Sequence, residues 1–316
     1  MRIAIPSRSQ IADLLTRPLP FGGHRPLPLH DATPDPGLFG PDTVTWRVMR
    51  EPLLILGGGR ALLMQAANPL VAQGAIDFSA YADDPFGRLM RTIHWVTMVT
   101  YGTRAEAAAA SGVVNGMHTR VRGSLPGEHA TERTHGGAEY SALDGDLLRW
   151  VHASFVDTML VTHDALVGGL TTADRDRFVR EWDAVADLMH VPPRLLWKSH
   201  RALRTYVDRE VARGVARPGA GSRLVSRMVV HPPLRSPLLR PGWDVVAFTT
   251  VGLLPAAVRR GYGILWTPAH TAAHRALCLT LRRTHDLLPH RLQVSPVHEL
   301  AMARVEGRWP AADAVA

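Results

Sequence analysis

Apolar residues recur at helical spacing through most of the chain, beginning near residue 42. Proline and glycine separate segments of helix length, and no series of alternating apolar and polar positions indicates a sheet. Residues 1–41 differ, because they are rich in proline and glycine and carry no sustained period. The pattern predicts an extended N-terminal arm over residues 1–41 and a single all-α, multi-helix domain over residues 42–316.

Several helix starts can be assigned from capping residues. Asp84 before Pro85 is typical of an N-cap followed by proline at the first helical position, Ser141 with Asp144 has the spacing of a capping box, and Thr172 is expected to cap the next helix. The segment from Gly123 to Tyr140 is interpreted as a polar loop. Further helices are expected at about 44–56, 60–67, 104–121, 195–213, 222–230, 244–260 and 268–286.

The charge balance does not favour nucleic acid as a partner. The net charge is +8, but Lys198 is the only lysine, and the arginines often neighbour acidic residues, as in "DRDRFVREWD". Such a distribution is typical of a solvated surface with ion pairs. We therefore expect no nucleic-acid partner.

The single cysteine, Cys278, excludes an internal disulfide framework and a cysteine-based zinc site, and it fits a reducing compartment. The first residues lack the apolar segment of a secretory signal, so a cytoplasmic location is expected. The apolar run from Trp243 to Val258 is interrupted by Asp244 and Pro255 and is shorter than the roughly 20 residues of a spanning helix. Burial in a core is the favoured use of this run, and peripheral contact with a membrane stays open.

A run of three glycines, Gly57–Gly59, precedes Arg60 and a predicted helix. A P-loop would need lysine and a hydroxyl residue after the glycines, and a dinucleotide-binding turn would need a different glycine spacing. Neither pattern is present, so the run is interpreted as a tight corner between helices. Whether Arg60 forms an ion pair within that corner or reaches a bound anion is left open by the sequence.

The helix that begins after Asp84 places Arg88 and Thr92 on one face, with Arg91 on its flank. These polar residues lie among apolar ones. Two interpretations are open: the arginines reach solvent or a carboxylate such as Asp83, or they form a cationic wall of an internal pocket suited to carboxylates and oxygen species.

Histidines supply the other candidate chemistry. His118 follows Gly112 and Gly116 and stands four residues before Arg122, but spacing alone does not distinguish it among 16 histidines. His152 lies in an apolar helix and needs a hydrogen-bond partner if it is buried. His270 and His274 have a spacing suited to one metal ion, yet the glutamate of zinc proteases is missing, so accidental spacing is favoured. No nucleophile elbow of the Gly-x-Ser-x-Gly type is present.

Five blocks follow one another along the chain: "TWRVMREPLLILGGGRALLMQAANPLVAQG", "DDPFGRLMRTIHWVTMVTYG", "NGMHTRVRG", "YSALDGDLLRWVHASFVDTML" and "LLPAAVRRGYGILW". In this order they resemble the family of the rubber oxygenase catalytic domain, which includes latex-clearing protein and the mpaB-type oxygenases. The resemblance covers roughly residues 42–305.

The resemblance implies an all-helical fold with a globin-like core that holds haem b, and oxygenase chemistry. By residue matching, Arg88 and Thr92 correspond to the family's distal arginine and threonine, and His118 to the proximal histidine that ligates iron. His152 matches a further family histidine in a supporting role, and Arg88 and Arg122 are also expected to contact the cofactor.

Two positions depart from the family pattern. Arg91 replaces the distal lysine of latex-clearing protein, and a guanidinium is a very poor iron ligand because it stays protonated. The resemblance then implies iron that is five-coordinate or carries water on the distal side, which argues against polyisoprene cleavage. Asn68 stands where relatives often have histidine.

The sequence therefore predicts a haem-dependent oxygenase in which Arg88, Arg91 and Thr92 are catalytic and dioxygen or peroxide is activated towards an apolar small-molecule or lipid-like substrate. Two alternatives are a haem-binding sensor or storage protein without turnover, and a helical scaffold that has lost haem. If the protein binds haem, as an oxygenase or as a sensor or storage protein, the anion that Arg60 could reach is a haem propionate. The oligomeric state is not predicted.

Overall fold

The structure is a computed structural model, and it describes residues 33–78, 85–233 and 237–308. Most of these residues are helical, which confirms the all-α prediction; the globin-like arrangement of the core stays a prediction. The predicted N-terminal arm falls largely outside the described residues, as do Asp83 and Asp84.

The described residues form α-helices of 4 to 22 residues, 3₁₀ helices of 3 to 6 residues and one pair of three-residue strands. The elements are α1 Val44–Met49, α2 Gly58–Ala66, α3 Pro69–Phe78, α4 Pro85–Tyr101, α5 Arg104–His118, β1 Arg122–Ser124, β2 Glu139–Ser141, α6 Gly145–Leu166, α7 Thr172–Glu181, α8 Asp183–Leu188, α9 His200–Ala212, α10 Ala220–Val230, α11 Arg240–Leu253, α12 Ala256–Gly261, α13 Pro268–Leu287, α14 His290–Gln293 and α15 Pro296–Val305.

Contacts between residues divide the chain into two compact units. The first takes in the described residues of Met1–Pro52, Phe86–Gly116 and Leu288–Ala316, and the second those of Leu53–Pro85 and Met117–Leu287. The boundary at residue 42 between an N-terminal arm and a helical domain concerns a different division of the chain and stays a prediction.

The core of the first unit forms around Trp46, which is fully buried. The Trp46 indole donates a hydrogen bond to the carbonyl of Thr100 at 2.9 Å, and its ring lies 5.5 Å from the rings of both Tyr101 and His298. Arg304, also buried, donates to the carbonyl of Tyr101 at 2.6 Å. Helices α1, α4 and α15 are therefore joined by aromatic packing and by buried hydrogen bonds.

In the second unit, α6 is the longest helix, and α2, α9 and α13 pack against it. Its buried residues include Trp150, whose indole donates to the carbonyls of Met64 and Gln65 at 3.1 Å each. The glycine run lies where α2 meets this helix: a Cβ on Gly57 would overlap Thr162 of α6, and one on Gly59 would overlap Thr250 of α11. The run is a close-packed corner, as the sequence predicts.

The segment Gly123–Tyr140, predicted as a loop, is closed at its base by antiparallel strands β1 and β2, in which Gly123 pairs with Tyr140. Contacts from outside hold it in place: His129 hydrogen-bonds Gln73 at 2.6 Å, and Arg217 pairs with Glu132. We call residues 122–141 the hairpin segment. The strands escape sequence analysis because three residues are too few to show alternation.

Candidate functional site

The residues predicted to be catalytic lie within five positions of one another near the start of α4, in the first unit. Arg88 and Arg91 are half-buried, and Thr92 is exposed. The Thr92 hydroxyl donates to the Arg88 carbonyl at 3.1 Å, a bond within the helix that leaves the oxygen able to accept from another group. The helix therefore presents two guanidinium groups and a hydroxyl over little more than one turn.

His118, the predicted iron ligand, is the last residue of α5 and is half-buried in the second unit. Its Nδ1 atom is buried, and among the described residues it has no hydrogen-bond partner. Burial lowers the pKa of the imidazole, which favours the neutral form that binds metals.

Two glycines precede His118 on the same helix. A Cβ atom added to Gly112 or Gly116 would meet nothing within 4 Å, and both residues are exposed. Gly112 and Gly116, four residues apart, leave one stripe of α5 without side chains, and the helix ends in a neutral imidazole. These are the properties of a helix end that holds a haem through one protein ligand, so the residues fit the group that the resemblance implies.

His152 and Arg122, the other predicted cofactor contacts, both lie in the second unit. His152 is half-buried in α6, burial lowers its pKa to about 4, and its ring stacks on Trp197 with 6.3 Å between centroids and 5° between planes. It is therefore a neutral ring of fixed orientation. Arg122 is exposed at the start of β1, four residues after His118.

The structure settles the contacts of Arg60, which the sequence left open. Its Nη2 lies 2.6 Å from Oδ2 of Asp157, its Nη1 donates to Thr158 Oγ1 at 2.5 Å, and its Nε donates to the Leu253 carbonyl at 2.9 Å. Arg204 binds the other carboxylate oxygen of Asp157 at 2.7 Å. Burial raises the pKa of Asp157, but the two guanidinium groups outweigh it and the net pKa is lowered. Arg60 is thus held in an ion pair inside the helical corner.

Asn68 also has a local role. Its side-chain oxygen accepts from the backbone N–H of Leu70 at 2.9 Å, so it caps the first turn of α3.

His270 and His274, the pair with a spacing suited to one metal ion, have different hydrogen-bond partners. His270 accepts a hydrogen bond from the Thr267 backbone at 3.1 Å, whereas His274 is buried with its Nε2 atom 3.5 Å from Cys278 Sγ. Over the part of the chain that the structure describes, no three His, Cys, Asp or Glu side chains cluster to hold a metal ion. A haem iron needs a single protein ligand, so this finding bears on zinc-type sites and not on His118.

Sequence reasoning missed two pairs that the structure brings together. Asp157 is 97 positions from Arg60, and Tyr140, whose hydroxyl donates to Asp77, is 63 positions from that carboxylate. No spacing rule connects residues so far apart in the chain. The one available signal was the presence of a charged residue within an apolar helix, as with Asp157 in "WVHASFVDTML".

None of the described helices has the length and apolar character needed to cross a membrane.

Comparison with known proteins identifies the family. The sequence model of one protein family, described as ER-bound oxygenase mpaB/B′/rubber oxygenase, catalytic domain, matches residues 46–283. An uncharacterized protein of Mycobacterium bovis and one of Mycobacterium tuberculosis are each 25% identical over 246 residues, which is 73% of this chain and 88% of theirs. No solved structure matches significantly. The chain belongs to the family of the mpaB and rubber oxygenase catalytic domain.

Proposed function

We propose that this protein is an oxygenase that depends on haem b and uses dioxygen or peroxide to oxidise an apolar small-molecule or lipid-like substrate. Family membership supports the oxygenase activity. The observation that carries the haem proposal is His118, a neutral imidazole with an unpartnered, buried Nδ1 atom, which follows two glycines with open space beside them.

His118 would hold the iron, and Arg122 would pair with a propionate at the surface. His152 would support the site as a neutral ring fixed by Trp197. When bound, the haem supplies the redox chemistry for reaction with dioxygen or peroxide.

The proposed reaction with oxygen rests on the three polar residues of α4, Arg88, Arg91 and Thr92. Arg88 and Arg91 carry permanent positive charge and would stabilise negative charge that develops on oxygen. The Thr92 hydroxyl donates to its own helix, so its oxygen would accept a hydrogen bond from peroxide or from a water molecule. Arg91 cannot replace a lysine as an iron ligand, so its proposed role is electrostatic.

The first experiment is an absorption spectrum of the protein purified after expression with ample haem. We expect a Soret band that is lost in His118→Ala and retained in the matched control His135→Ala, since His135 is exposed in the hairpin segment. A wild-type protein without the band, or a band unchanged in His118→Ala, would overturn the haem assignment. Absence of haem together with normal folding would favour the helical scaffold.

The second experiment measures consumption of dioxygen or peroxide with apolar lipids, terpenes and aldehydes. We expect turnover in the wild type and a decrease of about 100-fold in Arg88→Leu, the scale of losing one preorganised charge or donor. Arg283→Leu removes an exposed guanidinium from α13 and should retain activity. Stable dioxygen binding without oxidation of any co-substrate would favour a sensor or storage protein, and activity that is independent of haem would contradict the proposal.

A further inference from the structure

Tyr140 of β2 anchors the hairpin segment to α3. Its hydroxyl donates to Oδ2 of Asp77, and its ring lies between two glycines. A Cβ on Gly74 of α3 would lie 3.4 Å from Cε2 of the ring, and one on Gly123 of β1 would lie 3.0 Å from Cζ. A side chain at Gly123 would press on the ring, whereas one at Gly74 would meet the ring in ordinary van der Waals contact. Asp77 is held in turn by Gln73, whose amide donates to Oδ1 at 2.8 Å.

The anchored strands are continuous with the end of α5. The Val121 N–H donates to the His118 carbonyl at 3.1 Å, and the Val121 carbonyl accepts from Ala142 at 2.9 Å. A Cβ on Gly74 would also lie 3.3 Å from Cγ1 of Val121, so α3 packs against the turn as well as against Tyr140. The backbone that follows His118 is thereby fixed to α3 on one side and to β2 on the other.

The His118 ring lacks the hydrogen bond that usually orients a metal-binding histidine. Such a histidine generally donates its second ring N–H to a carbonyl, a carboxylate or water, and this bond sets the direction of the ring. Among the described residues, no group accepts from Nδ1 of His118. The orientation of the imidazole must therefore come from packing and from the backbone to which it is attached.

We propose that Tyr140 and Asp77 are positioning residues for His118: their hydrogen bond fixes the turn at residues 118–122 and so aims the imidazole at the iron. The inference rests on the proposed haem function, and both residues would act through the backbone without contact with the cofactor. In other metal-binding histidines a hydrogen bond to the ring sets its orientation, and here the hairpin segment would have that role.

The first test compares Tyr140→Phe with Tyr262→Phe. Tyr262 is a matched control because it lies in the same unit and its buried hydroxyl donates to the Leu63 carbonyl at 2.6 Å. We expect haem to dissociate about 10-fold faster from Tyr140→Phe, the lower end of the effect of losing an orienting partner, with an altered low-temperature EPR spectrum of the ferric protein. Asp77→Ala removes the acceptor of the same hydrogen bond at an exposed position, and we expect it to have the same effect. It replaces Tyr140→Phe as the test if that variant does not fold.

The second test detaches the ligand from the backbone. In His118→Gly reconstituted with haem in the presence of free imidazole, the imidazole supplies a proximal ligand that is not tethered to the turn. We expect Tyr140→Phe to leave the EPR spectrum and the haem dissociation rate unchanged in this background. Persistence of the effect without the tether, or an equal effect in Tyr262→Phe, would show a merely structural role and overturn the inference.

A third readout separates this inference from the proposed function. Amide hydrogen exchange of the haem-free protein reports on the Val121 and Ala142 hydrogen bonds directly. We expect faster exchange at these amides in Tyr140→Phe than in Tyr262→Phe, whether or not haem binds. If the wild type shows no Soret band, the haem proposal fails on its own. If the amides exchange equally in the two variants, the anchoring of the turn fails.

Discussion

The guanidinium of Arg60 lies 2.6 Å from the carboxylate of Asp157, and both side chains are almost completely withdrawn from solvent. Arg204 neutralises the second carboxylate oxygen at 2.7 Å, with about a third of its own side chain exposed. Two cations and one anion therefore share a single buried cluster. Such a cluster is costly to disrupt, because the loss of Asp157 would leave the Arg60 guanidinium charged, buried and without its counter-charge.

Replacement of Asp157 should destabilise the protein strongly. We expect Asp157→Ala to lower the free energy of unfolding by about 3–5 kcal/mol, since Arg60 then remains buried without a counter-charge. Urea denaturation followed by circular dichroism measures the change. The control is Asp164→Ala, which breaks the more exposed pair with Arg175 and should cost less than about 1 kcal/mol. Equal losses in the two variants would contradict the role of burial.

The three consecutive glycines should respond differently to alanine. Gly57→Ala and Gly59→Ala would place a methyl group against Thr162 and Thr250, so we expect losses of about 1–3 kcal/mol. Gly58→Ala meets open space and should be neutral or slightly stabilising. Thermal unfolding of the three variants measures the difference, and Thr250→Ala should recover part of the loss in Gly59→Ala. A comparable loss in Gly58→Ala would argue for a backbone requirement instead of packing.

Asn68 should contribute as a helix cap. Asn68→Ala removes the acceptor for the Leu70 N–H, and we expect a loss of about 1 kcal/mol, whereas Asn68→Asp retains an acceptor and should cost little. Chemical denaturation of the two variants tests this directly. If Asp at this position costs as much as Ala, then the amide has a role other than capping.

Acid should weaken the first unit through His298. Burial, together with the charges of Arg50 and His290, lowers the pKa of His298 from 6.5 to about 4, and its ring packs against Trp46 and Tyr101. Because the folded pKa lies below the unfolded value, the stability from the neutral ring is complete above pH 6.5 and is lost as the pH falls from about 6.5 towards 4.

The expected loss from His298 protonation is on the order of 2 kcal/mol, and His298→Phe, which keeps an aromatic ring, should flatten the dependence of unfolding free energy on pH. Denaturation at a series of pH values measures the slope. His135→Phe, at an exposed position, should leave the slope unchanged. A slope that is identical in the wild type and in His298→Phe would assign the acid sensitivity to other groups.

Sequence patterns predicted the elements better than their exact ends. The cap of α6 is Asp144, which accepts from Asp146 and Leu147, and not Ser141, which lies in β2; the cap of α7 is Thr171 and not Thr172. The expected helix at 244–260 is interrupted before Pro255, since proline clashes with a continuing helix. Where two polar residues that could each serve as the N-cap lie one to three positions apart, the sequence does not define which of them begins the helix.

Contacts between distant residues could not be predicted. The sequence leaves two alternatives for Arg60, and only the packing of α2 on α6, which brings Asp157 to it, distinguishes them. Likewise, the polar composition of residues 123–140 indicated a loop, and the anchor formed by Tyr140 and Asp77 depends on where α3 lies. Helical periodicity defines which face of an element is apolar, but it does not define which partner that face meets.

The hairpin segment is rich in polar residues, yet it is held by the Tyr140–Asp77 bond, the His129–Gln73 bond and the contacts of Glu132 and Arg133 with residues 213–217. A protease cleaves a segment that has opened locally from the fold, and these bonds resist such opening. Trypsin should therefore cut slowly after Arg122 and Arg133 despite their exposure. Composition alone would have marked this segment as the place to nick the protein.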